Sequence, residues 1–69
     1  MGKDKISRCI KMAMIKAGIT NDELAKVLSK TRATIQAYRR GDCGSIPKLT
    51  DVAEACGMTY EEMMKLADK

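Results

Sequence analysis
Five side chains in the middle of the chain, Arg32, Ala33, Gln36, Ala37 and Arg40, can act together. At about 100° per residue they fall on one side of a helix, opposite Ile35 and Tyr38. A guanidinium fork and a carboxamide can each pair bidentately with a base edge, and small methyl groups between them let a helix lie deep in a groove. Arg32 suits guanine, Gln36 suits adenine, and Ala33 can touch a thymine methyl, with Ala37 alongside. A side that only faced water would need generic charge, and Lys or Glu would serve. Here no acid stands between Lys26 and Arg40.

The stretch from Thr20 to Gly41 supplies the frame for that side. Thr20 and Glu23 have the spacing of a capping box, and Ile19 can pack on Leu24 as a hydrophobic staple. Leu24 and Leu28 lie one turn apart on one face, with small Ala25 beside Leu24. Ser29-Lys30-Thr31 interrupts this helix, and Thr31 can cap the next. Gly41 is a natural C-terminal stop. The pattern is two short helices with a tight corner between Leu28 and Thr31.

Net charge is +4 over 69 residues, and it is unevenly spread. Residues 1–19 carry five bases and one acid, and residues 24–41 carry five bases and no acid. Residues 51–69 carry five acids and two bases. A basic face with an acidic far end is the footprint of a polyanion binder. The plainer alternative is a solvated, lysine-rich surface. The chain is 45% apolar with no Trp or Phe, so the core must come from Leu, Ile, Val, Met and Ala, which suits helices. One Pro and no alternating β-branched run argue against strands.

The rest of the chain reads as three more helices, and residues 1–69 as a single domain. Residues 1–4 are expected to fray. A first helix from about Asp4 to Ala17 ends at Gly18, with Ile6, Cys9, Ile10, Ala13, Met14 and Ala17 as its buried stripe. Lys5, Arg8, Lys11 and Lys16 fall largely outside the stripe and read as a solvated face, from which one or two could reach phosphate. After a loop at 42–45, Ser45 can cap a fourth helix with Pro47 in its first turn. Ile46, Leu49, Val52, Ala53 and Cys56 should face inward, and Gly57 ends it. Thr59 with Glu62 forms a second capping box and Met58 with Met63 a second staple. The last helix, about Tyr60 to Ala67, offers Met63, Met64 and Leu66, and some of these should cover the core. If two of these are exposed, the C-terminal helices could pair two copies as a homodimer.

Cys9, Cys43 and Cys56 are odd in number and lack metal-hook spacing, and the chain has no His. Neither a metal nor a cofactor is expected. Cys9 and Cys56 fall on apolar helix positions, whereas Cys43 is expected in a loop as an exposed thiol. The set points to a reducing, cytoplasmic compartment. No secretory leader and no membrane span of about 20 apolar residues is expected. Without a nucleophile–base pair, a phosphate-cradling glycine loop or a metal cluster, an enzyme is not expected, and no small-molecule ligand is implied.

These features together resemble the helix-turn-helix DNA-binding domains of the phage repressor and Cro type, the Xre-like family. The matching residues are Glu23-Leu24-Ala25, Leu28, Thr31, Thr34-Ile35, Tyr38 and Gly41. Beyond the motif they are Leu49, Val52-Ala53-Glu54-Ala55, Gly57-Met58 and Tyr60-Glu61-Glu62, so the likeness spans roughly residues 8–66. It implies an all-α, compact five-helix, lambda-repressor-like fold with the helix-turn-helix at helices 2 and 3. It also implies a transcriptional regulator reading the major groove of double-stranded DNA with helix 31–40. Arg32, Ala33, Gln36 and Ala37 would read bases. Asn21, Lys26, Lys30, Thr31, Thr34, Arg39 and Arg40 would hold phosphates.

Five residues, in four departures, differ from the family pattern. Ser29 stands where Gly is usual, and Lys30 where an apolar residue is usual. Asn21 replaces a Gln that grips phosphate and braces the recognition side chains. Met14 and Arg39 replace an Arg–Glu pair, so Arg39 is expected to point to solvent or to phosphate. Two further uses of the fold stay open: a protein-interaction module such as an antitoxin or antirepressor, and an excision or architectural factor of a mobile element.

Overall fold
Each helix of the computed structural model, which describes residues 2–67, begins and ends where local chemistry dictates. The order is α1 Lys3–Ala17, α2 Asn21–Leu28, α3 Arg32–Arg39, α4 Ile46–Ala55 and α5 Tyr60–Leu66, with no strand among the described residues. This is the five-helix architecture that the resemblance implies.

The starts follow the side chains. At α2 and α5 the capping boxes form in full, Thr20 with Glu23 and Thr59 with Glu62. At α3 the Thr31 hydroxyl accepts from the Thr34 amide at 3.2 Å. Each such bond satisfies a helix amide that has no partner within the helix. Ser45 precedes α4 but makes no side-chain cap bond. Pro47 has no amide hydrogen to satisfy in that first turn, so less is lost.

The ends of α1 to α4 share one device. The residue past the helix takes a left-handed backbone, and two amides reach back to the last carbonyls, as from Ile19 to Met14 and from Lys30 to Ala25. Glycine occupies that place after α1, α3 and α4, and Ser29 occupies it after α2 with φ 56°. The left-handed backbone costs a non-glycine residue roughly 1 kcal/mol, so the corner carries a strain that its position in the motif imposes.

The core is built around α1, which packs against α3, α4 and α5, while α2 packs on α3 and α4. Ile6, Cys9, Ile10, Ala13 and Met14 form the buried stripe of α1. Leu24, Ile35, Tyr38, Leu49, Val52, Cys56 and Met63 close on it. Burying these apolar side chains is the main force holding so short a chain together, at roughly 1.5–3 kcal/mol for each large one.

Several expectations need correction. Lys3 and Asp4 are helical rather than frayed, while Met1 lies outside the described residues. Ala17 is exposed, and Ile46 is 60% exposed instead of facing the core, because it opens α4 at the edge of the contact surface. Cys43 is fully buried, not an exposed loop thiol, since the loop after α3 folds inward. The three thiols are unbridged. In α5, Met63 is buried and Met64 and Leu66 are half-buried against the core. These side chains go to the fold, so α5 offers no exposed apolar face for pairing two copies. No helix among the described residues is long and apolar enough to cross a membrane.

Candidate nucleic-acid interface
The outer side of α3 is built by division of labour along eight residues. Ile35 and Tyr38 are buried and bolt the helix to α1 and α2. Arg32, Ala33 and Gln36 are exposed, and Ala37 and Thr34 are half-buried at the border. Arg40 follows as the C-cap and is exposed. The chain therefore presents a fork, a methyl and an amide on one side, and its own residues do not cover them.

The N-terminal end of α3 is set by the corner. Thr31 caps it, and the hydroxyls of Thr31 and Thr34 lie 2.9 Å apart in a hydrogen bond. Lys26, Lys30 and Thr31 are exposed around this end. The C-terminal end is clamped by α1. The Ser7 hydroxyl donates to the Arg39 carbonyl. Lys3 pairs with Asp42 at 2.8 Å. Gly41, at φ 98°, runs so close to α1 that an added Cβ would sit 2.3 Å from the Lys3 carbonyl oxygen. Any side chain there would push α3 and α1 apart.

Two contacts were hidden from a reading by sequence window. Asp22 of α2 reaches Arg32, with Arg32 Nε donating to Asp22 Oδ1 at 2.7 Å. Both side chains remain two-thirds exposed, so the pair contributes only about 0–1 kcal/mol and can open. Arg39 departs further from expectation. It does not point to solvent: it is half-buried and Nη1 donates to Asn21 Oδ1 at 3.0 Å. Its Nε is shut away without a hydrogen-bond partner. Leaving such a donor unpaired costs about 1–3 kcal/mol. Met14, where the family pattern has an arginine, is buried in the α1 stripe.

A groove of about 630 Å³ runs between α1, the start of α2 and the outer side of α3, bordered by Lys11, Ile15, Asn21, Asp22, Arg32, Gln36 and Arg39. A smaller hollow of about 300 Å³ adjoins it, lined by Lys11, Asn21, Gln36, Arg39 and Arg40. Lys11, read from sequence as a solvated residue, thus borders the same surface as α3. Helical spacing put it outside the core stripe, but only packing decides which neighbour it meets. Among the described residues no cluster of His, Cys, Asp or Glu is arranged to hold a metal.

A tight corner between two short helices, the second with a clean polar side, defines the class: a helix-turn-helix DNA-binding domain. The sequence profile described as helix-turn-helix matches residues 10–63, and the chain belongs to that family, as the resemblance to the phage repressor and Cro type implies. The family is one of sequence-specific DNA-binding regulators, not of enzymes. No curated protein and no solved structure matched the chain.

Proposed function
We propose that the chain is a small transcriptional regulator of the phage repressor and Cro type, with α3 laid N-terminal end first in the major groove. The observation that carries this is the exposed Arg32–Ala33–Gln36 side of a helix anchored from behind by Ile35 and Tyr38. Arg32 pairs with a guanine, Gln36 with an adenine, and Ala33 with a thymine methyl, with Ala37 allowing close approach. Asn21, Lys26, Lys30, Thr31, Thr34 and Arg40 hold the backbone, which fixes register without carrying sequence information. Asp22 holds Arg32 in the free protein and releases it to the base. The unbridged thiols support a reducing, cytoplasmic setting.

Binding selection from a random duplex pool, read by gel shift at low and moderate salt, tests this. A consensus site is the expected result. Salt-sensitive binding without a consensus would favour an architectural or excision factor. No binding would leave the fold as a protein-interaction module. A Lys30→Ala variant should weaken binding on all sequences and flatten the salt slope by about one unit.

A further inference from the structure
The half-buried arginine at the end of α3 is unusual on two counts. It commits Nη1 to Asn21 and leaves a buried Nε without a partner. Packing alone would be served better by an apolar side chain of similar length. The contact does have a directional consequence. A guanidinium only donates, so it must face the amide oxygen of Asn21. The amide is then locked with Nδ2 on its other side, and Nδ2 has no partner among the described residues. Asn21 and Arg39 both line the two adjoining hollows, and Lys11 borders each of them. Lys11 has no ion pair among the described residues.

We propose that Arg39 is a positioning residue for DNA binding: it holds the Asn21 amide so that Nδ2 is aimed at a backbone phosphodiester, in a cleft whose far wall is Lys11. This rests on the DNA-binding reading above and adds to it a bracing role for Arg39 and a phosphate contact from α1. Asn21, one methylene shorter than glutamine, cannot both reach outward and brace itself across α3. Arg39 supplies the brace from the other side. Lys11 supplies charge to the same phosphate from α1, as one of the four bases of that helix whose reach to phosphate the sequence left open.

The test measures affinity for a labelled random-sequence duplex pool at several salt concentrations, with melting temperature in parallel. Asn21→Asp keeps an acceptor for Arg39 but replaces the donor with a carboxylate. The expected result is unchanged or raised thermal stability with at least about tenfold weaker binding, worse than Asn21→Ala. Arg39→Met removes the stranded Nε and should not lower the melting temperature. It should cost about tenfold in affinity when Asn21 is present, and no more than about twofold in the Asn21→Ala background. The comparison cancels the general effect of losing one positive charge. Equal losses in the two backgrounds, or Asn21→Asp binding like wild type, would overturn the proposal. Lys11→Ala with a wild-type salt slope would overturn the cleft as the place of the phosphate. Wild-type protein that shifts no duplex would overturn this proposal together with the reading beneath it.

Discussion

At the scale of single residues, Arg32 and Arg39 show how one side-chain type is put to two uses. Both lie on α3, seven positions apart, and both bond to the first turn of α2, Arg32 to Asp22 and Arg39 to Asn21. Burial separates them. Arg32 is exposed in a pair that opens at little cost, so its fork is available to a base. Arg39 is half-buried and serves the fold and its neighbour. Arg32→Ala is expected to lose about 1–3 kcal/mol of binding to the selected site and to relax preference at one base pair. Comparing affinities for the four bases at that pair checks it, and an equal loss on every sequence would make Arg32 a phosphate clamp. The polar side of α3 was legible in the sequence because helical spacing alone defines it. The Asp22 and Asn21 contacts were not, because they depend on how α2 crosses α3.

At the scale of elements, the corner and the end of α3 set where its polar side points. Ser29 sits in the left-handed region with an exposed side chain that makes no hydrogen bond among the described residues. Ser29→Gly should therefore stabilise the protein by about 0.5–1 kcal/mol, measured as a shift in the urea midpoint. DNA affinity should be unchanged, since the backbone already has that conformation. Gly41 is the opposite case. Its positive φ and its approach to the Lys3 carbonyl leave no room for a methyl group. Gly41→Ala should cost at least about 2 kcal/mol, seen as a lowered denaturation midpoint. The sequence marked Gly41 as a helix stop. That it also forms the contact between α3 and α1 required the two helices to be placed.

At the scale of the whole molecule, pH tests how the fold holds its protons. Burial raises the Cys56 thiol. It is also the main cause of the rise at Cys43, where Lys48 pulls down and Asp51 pushes up. Tyr38 is raised by burial first, then by Cys43 and Asp51. Lys3 is raised by its hydrogen bond and charge interaction with Asp42. In the unfolded chain the thiols ionise near 9.0 and the phenol near 10.0, before they do so in the folded state. The stability these groups contribute is therefore complete below about pH 9 and is lost as pH rises above it. The melting temperature should fall as pH rises from about 9 to 10.5. Asp42 acts in the other direction: Lys3 holds its carboxyl below 3.8, so its contribution is present above that value and lost on acidification. Because that pair lies at the surface, where water screens it, the alkaline loss should exceed the acid loss traceable to Asp42. A melting temperature flat up to pH 10.5 would show that the thiols are reached by water.

The sequence by itself determined the five helices, the corner, the caps at Thr20, Thr31 and Thr59, and the polar side of α3. Those features depend on residues three or four apart, and local hydrogen bonds and helical spacing are enough to read them. Tertiary structure alone decided that Cys43 is buried, that Ile46 is not, and that Arg39 turns inward to Asn21. Each of those outcomes depends on which helix face meets which neighbour. That is settled by packing between segments far apart in the chain, and no local pattern encodes it.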